Sequence, residues 1–163
     1  MPAYSFLDTQ CSITGPFGSF PLSLGPGVGG VAEEGITIEF TEDKDRQLIG
    51  ADGSVMHSLN ASKAGKITIR LQKTSPVNQQ LAQLYNAQTI SSLFWAKNVI
   101  VLSNPVIGDN YTCTGVAFVR FPRNDNAKEA GIIEWEFNAG FIDAILGGGV
   151  VSVAAGLGVA LGI

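Results

Sequence analysis

The chain has 163 residues and a mass of 17.1 kDa, enough for one domain with a sizeable core and an extra arm but not for a second independent domain. Charged residues make up 15% against about 25% in an average soluble domain, mean hydropathy is +0.24 and glycine contributes 20 residues, which excludes intrinsic disorder and predicts that another copy or another protein covers much of the surface. A net charge of -4 and a pI near 4.8 exclude a nucleic-acid binder that depends on a basic footprint, while leaving room for an acidic protein that sits beside nucleic acid without sticking to it.

Met1 to Asp8 shows no basic stretch followed by a long apolar run, so no secretory signal is visible and cytosolic synthesis is expected. Residues 5–14 read as a first strand. Residues 15–30, rich in glycine and proline, read as a long loop anchored by Phe17, Phe20 and Leu22. From residue 35 to 41, Ile36, Ile38 and Phe40 alternate with Thr37, Glu39 and Thr41, the period of a half-buried strand. The same alternation recurs at residues 66–73, where Ile67, Ile69 and Leu71 oppose Thr68, Arg70 and Gln72, and at residues 133–138, where Ile133, Trp135 and Phe137 oppose Glu134, Glu136 and Asn138.

Between the first two of these strands, residues 42–65 form a segment too long for an ordinary connection. It mixes Glu42, Asp43, Asp45 and Arg46 with apolar Leu48, Ile49, Val55 and Met56, and its Asp52-Gly53 pair is a hairpin-closing turn signal. Ser75-Pro76 then opens the one good helix, with Ser75 as cap, Pro76 at the first helical position, Leu81, Leu84 and Tyr85 on the buried side and Gln79, Gln80 and Gln83 on the wetter side, to about Thr89. Strands are expected at residues 98–103 and 112–121; residues 140–146 fit no single element. Residues 147–163 close the sequence as a glycine-rich apolar run without a charged side chain.

Several chemistries lack the residues they need. One histidine, His57, cannot build a multi-histidine metal site and reads as a satisfied or solvent-facing loop residue. Cys11 and Cys113, far apart and outside any CxxC, read as two buried reduced thiols. Residues 25–30 match G-x-G-x-x-G formally but lead into another strand, so no helix N-terminus stands ready for pyrophosphate. The Asn60 and Asn110 sequons mean nothing without secretion. Glu134 and Glu136, about 7 Å apart along one strand face, imitate a glycosidase pair, but solvated sheet-face glutamates are far commoner. No catalytic residue, cofactor or metal site is expected.

The runs Ala3-Tyr-Ser-Phe-Leu-Asp8, Gly-Val-Ala-Glu-Glu-Gly-Ile-Thr-Ile-Glu-Phe-Thr-Glu-Asp-Lys44, Ile-Gly-Ala-Asp-Gly-Ser-Val-Met-His-Ser-Leu59, Leu71-Gln-Lys-Thr-Ser-Pro-Val-Asn78, Gly108-Asp-Asn and Glu134-Trp-Glu-Phe-Asn138 resemble the tail tube proteins of contractile-tailed bacteriophages. The resemblance implies a mainly β domain over residues 1–146, a β-sandwich or partial barrel with one helix that lends strands to a ring-wide inner barrel. It also implies a non-enzymatic virion protein, assembled in the host bacterial cytoplasm, whose hexameric rings stack into the conduit for DNA ejection.

The implied partners are other copies of the chain, the tail sheath, a tape measure protein inside the tube, and the baseplate and tail terminator. Viral DNA would pass transiently without specific binding, and no stable membrane insertion is expected. A tube from a type VI secretion or pyocin-like machine is a near alternative, and a monomeric β-sandwich binding module an alternative of another class.

Within this frame Thr37, Glu39, Thr41, Thr68, Arg70, Gln72, Glu134, Glu136 and Asn138 are expected to face the lumen, with Arg70 neutralised by a carboxylate such as Glu39. Glu42, Asp43, Asp45, Arg46, Leu48, Ile49, Val55 and Met56 are expected to stack rings. Residues 147–163 are expected to form a docking arm through Val150, Val151, Val153, Leu157, Val159, Leu161 and Ile163, with its three consecutive glycines as hinge and its valines suited to a neighbour's sheet edge.

Overall fold

The computed structural model describes residues 3–5, 8–23 and 31–147. Its elements are β1 (Gln10–Gly15), β2 (Gly18–Ser23), β3 (Val31–Phe40), β4 (Asp45–Ile49), β5 (Val55–Leu59), β6 (Gly65–Gln72), α1 (Pro76–Gln88), β7 (Asn98–Asn104), β8 (Asp109–Phe118), β9 (Ile132–Ala139) and β10 (Phe141–Ile145). The three alternating segments become β3, β6 and β9, and the ambiguous residues after Gly140 become β10.

Residues 15–30 are not wholly a loop, because β2 pairs antiparallel with β1. This strand ends the sheet, where Pro21 costs no hydrogen bond to a further strand. Leu22 is fully buried and Phe20 packs against the core. The first strand is shorter than residues 5–14, beginning at Gln10. The glycine motif of residues 25–30 lies outside the described residues.

Strands run antiparallel in the order β2-β1-β7-β8-β9-β6-β3, with β10 on the other side of β8. The sheet is open and does not close on itself as a barrel. It changes direction at Gly115. Residues 110–114 of β8 pair with β10, whereas Ala117 and Phe118 pair with β9. Gly115 takes φ 62°, a conformation that a side chain would resist, and the Gly140 N–H donates to the Thr114 and Gly115 carbonyls at 3.1 and 3.2 Å. Strands that bend this way carry one sheet into two facing layers.

Both layers feed one core. Ile36, Ile69 and Trp135 form one cross-strand row, and Ile38, Ile67 and Phe137 the next. Ile13, Leu22, Ile100, Cys113 and Ile142 join them from the other layer. The Phe118 ring bridges Phe137 and Trp135 at centroid distances of 4.8 and 5.8 Å.

The helix forms where its signals stand. The Val77 N–H donates to Ser75 Oγ at 3.3 Å, Pro76 occupies the first turn, and the Thr89 N–H closes the last turn on the Tyr85 carbonyl. Val77, Leu81 and Leu84 are buried, Gln79, Gln80 and Gln83 exposed, and Trp135 Nε1 donates to Asn78 Oδ1 at 3.0 Å to tie the first turn to β9. Leu84→Ala is expected to cost about 2 to 5 kcal/mol, read as a fall in the denaturation midpoint of the isolated subunit.

Cys11 and Cys113 are buried and unpaired. Burial, with the Cys113 sulfur nearby, pushes the Cys11 thiol up to about 12, and burial pushes Cys113 up to about 11. Neither is expected to react with a maleimide at about pH 8 until the chain is unfolded, because the thiolate is the nucleophile. Labelling read by mass with and without denaturant checks this.

Candidate assembly surfaces

The face of β3, β6 and β9 opposite the core is a polar ladder. Thr37, Thr68 and Glu136 lie side by side in one row, and Glu39, Lys66 and Asn138 in the next. Arg70 stands directly opposite Glu134, its Nε 3.4 Å from Glu134 Oε2, and its guanidinium donates to Thr37 Oγ1 at 3.0 Å.

Arg70 thus has the carboxylate neighbour expected of it, but that carboxylate is Glu134 and not Glu39. Register explains it: Glu39 pairs with Lys66, four residues and about 13 Å along β6 from Arg70. Arg120 reaches Glu136 Oε2 at 3.4 Å from beyond β8. Positive charge on this face thus has an acidic neighbour at each place.

Eight of the nine residues expected on this face lie within these three strands, and Thr41 follows directly after β3, its N–H donating to the Ala64 carbonyl at 3.0 Å. Gln72 stands opposite Ile132 at the far end. Thr68 is only 8% exposed, because it occupies the centre of the middle strand with Thr37 and Glu136 on either side. Lys66 belongs to the same face; it opened the predicted strand, and the alternation through Ile67 and Ile69 could have placed it there.

Residues 42–65, expected as a ring-stacking loop, contain an ordered hairpin of β4 and β5 that forms a two-stranded sheet of its own. Its turn is the one predicted: Gly53 takes φ 85°, which glycine tolerates, and Ser54 donates to Asp52 Oδ1 from both Oγ (2.7 Å) and N–H (3.0 Å). Those bonds hold the exposed Asp52 carboxyl below its usual range. At the base, Lys44 Nζ donates to the Asn60 and Ser62 carbonyls at 2.9 and 2.7 Å, and Asn60 Nδ2 donates to Glu42 Oε2 at 2.8 Å.

Every residue of both hairpin strands is exposed. Leu48 and Met56 share one face, while Ile49 and Val55 share the other with Gln47 and His57. His57 lies in β5 and not in a loop, with Nδ1 2.9 Å from Asp45 Oδ2. A lone hairpin showing apolar side chains on both faces is marginal in water and gains stability when something covers it.

The paired-carboxylate reading finds no support. Glu134 and Glu136 are each engaged by an arginine beside an open groove of about 540 Å³. No cluster suited to a metal ion, and no helix long and apolar enough to cross a membrane, occurs among the described residues.

The buried pair Gln88 and Asn98 was not legible in the sequence, since amides ten residues apart give no pattern. The arm residues Val150, Val151, Val153, Leu157, Val159, Leu161 and Ile163 lie outside the described residues.

Residues 1–147 match the family described as bacteriophage PhiTE tail tube protein. The chain belongs to this tail tube family. As a tail tube protein it is a structural component of a virion tail. No curated protein sequence matches it.

Solved structures show the same fold at low identity. The sheath–tube complex of the extracellular contractile injection system PVC in its extended state contains a chain with 14% identity and a TM-score of 0.55, covering 88% of the tail tube protein and 92% of that chain. The tube-terminating cap of the anti-feeding prophage gives 12% identity and 0.55 over 90% and 93%. The sixfold-symmetrised baseplate of the same prophage gives 11% and 0.53 over 93% and 99%.

Proposed function

We propose that this tail tube protein forms the inner tube of a contractile phage tail as stacked rings of six copies, a conduit through which DNA leaves without binding. The observation that carries the reading is the polar ladder of β3, β6 and β9, which is open along β3 and along the first half of β9. Among the described residues β3 ends the sheet on one side, and on the other β9 is joined to β8 at Phe137 and Asn138 and to the residue after β8 at Glu136, whose carbonyl accepts from the Val119 N–H at 3.0 Å, so residues 132–135 have no strand partner there. A neighbour's strand can continue the ladder at each side, and head-to-tail continuation that closes on itself makes a ring.

Thr37, Glu39, Thr41, Thr68, Arg70, Gln72, Glu134, Glu136 and Asn138, together with Lys66, would then line the channel. Each of their cations has an acidic neighbour, Glu134 for Arg70 and Glu39 across from Lys66, which weakens their attraction for passing phosphates. The β4–β5 hairpin stacks successive rings, and residues 147–163 dock on another subunit. Sheath on the outside, a tape measure protein within, and baseplate and terminator at the ends complete the partners, consistent with the sheath-bound, cap and baseplate settings of the similar structures. Assembly takes place in the bacterial cytoplasm.

Electron microscopy and native mass spectrometry of the purified full chain test the proposal. Hexameric rings and tubes are expected. A monomer that persists at high concentration would overturn it in favour of a β-sandwich binding module.

A further inference from the structure

Ile90 and Leu93 are 81% and 78% exposed in the turn that follows α1, and Phe17, at the tip of the β1–β2 hairpin, meets Phe94 of that turn at a ring distance of 4.9 Å. The turn is compact: the Phe94 N–H donates to the Ser91 carbonyl at 3.2 Å and the Leu93 N–H to Ser91 Oγ at 3.2 Å. Neither contributing stretch carries a charge, from Thr9 to Ser23 or from Thr74 to Ala96, and Lys97 is the first charge to follow. Among the other exposed apolar groups, Leu48 and Ile49 lie close to Asp45 and Arg46, and Phe121 and Ile132 beside Arg120, Arg123 and Glu134.

We propose that this apolar corner receives residues 148–163 from a second copy of the chain. The inference rests on the assembly of copies proposed above and names a contact that the family match, which stops at residue 147, does not cover. Three observations identify the occupant. The segment has no charged side chain and is rich in Val, Leu and Ile, so docking here leaves Lys97 as the nearest charge in sequence, whereas docking on the hairpin would cover Asp45 and Arg46.

The segment also departs from the opposite end of the sheet. The Gly147 N–H donates to Asp109 Oδ1 at 3.0 Å, beside the turn that follows Asn104, whereas the corner adjoins Asn98 at the other end of β7, about 20 Å away. Finally, β10 runs from Phe141, opposite Thr114, to Ile145, opposite Asn110, and so carries the chain away from its own corner. Sixteen residues beyond Gly147 reach at most about 55 Å when extended. A donor at one end and an acceptor at the other make a heterologous contact, the kind that propagates from copy to copy.

The test mixes two full-length populations of different mass before assembly, one carrying Leu93→Cys and the other Val151→Cys, Leu157→Cys or Leu161→Cys, and treats them with a short bismaleimide. The native thiols are buried and protonated and stay silent. A cross-link between the two populations, reduced at least tenfold by Ile90→Asp in the acceptor, is expected. A third chain carrying Leu93→Cys together with Leu157→Cys that cross-links within itself, with no link between the two populations, would mean the arm folds on its own subunit and would overturn the proposal. Tubes that assemble normally without any such cross-link would also overturn it while sparing the tube reading, and absence of both tubes and cross-link would overturn both.

Discussion

Replacing Leu48 and Ile49 together by serine is expected to leave subunits and rings intact and to abolish their growth into tubes. The two side chains lie on opposite faces of the β4–β5 hairpin, Leu48 with Met56 and Ile49 with Val55, so the double change strips both faces at once. Ile49 is 70% exposed in the isolated chain, so its replacement removes almost nothing from the fold. If the hairpin is buried between rings, the loss is about 1.5 to 3 kcal/mol per side chain, repeated in every copy around the ring. Thermal melting of the subunit and tube length in electron micrographs separate the two effects. Tubes of normal length would refute the stacking role.

The second large effect is on stability. Gln88 at the end of α1 and Asn98 at the start of β7 are both fully buried and bonded reciprocally, Gln88 Nε2 to Asn98 Oδ1 at 2.6 Å and Asn98 Nδ2 to Gln88 Oε1 at 2.8 Å. A Cβ at Gly15 would collide with the Asn98 amide, so the pair is also packed from β1. Asn98→Ala leaves a donor and an acceptor of Gln88 buried without partners, at about 1 to 3 kcal/mol each, and opens a void. The expected loss is about 3 to 6 kcal/mol, a large part of the stability of a domain this size. Removing both amides, as Gln88→Leu with Asn98→Ala, is expected to recover part of it, because no polar group is then stranded. Urea denaturation of the three chains checks this, and equal stability of single and double variants would contradict the pairing argument.

What could be read in advance follows from how local each signal is. Alternation in β3, β6 and β9 is a property of a few consecutive residues, so the strands and their polar face were visible, as were the capped helix and the Asp52-Gly53 turn. Register is not local: which carboxylate meets Arg70 depends on how β6 and β9 slide past each other, and Glu134 rather than Glu39 results. Pro21 and its flanking glycines argued against a strand because the reading could not tell an edge from an interior. The Gln88–Asn98 pair left no trace because its amides look like any wet side chain until α1 packs on β7. Likewise Gly115 marked no bend until β8 was seen to pair with β10 on one half and β9 on the other.

The most direct measurement of the central claim is a density map of the assembled tube at side-chain resolution. Glu39, Lys66, Thr68, Arg70 and Glu134 are expected on the wall of the channel, with β3 of one copy continuing the sheet at the free part of β9 of the next. A map that puts Glu39 and Thr68 on the exterior of the tube would contradict it.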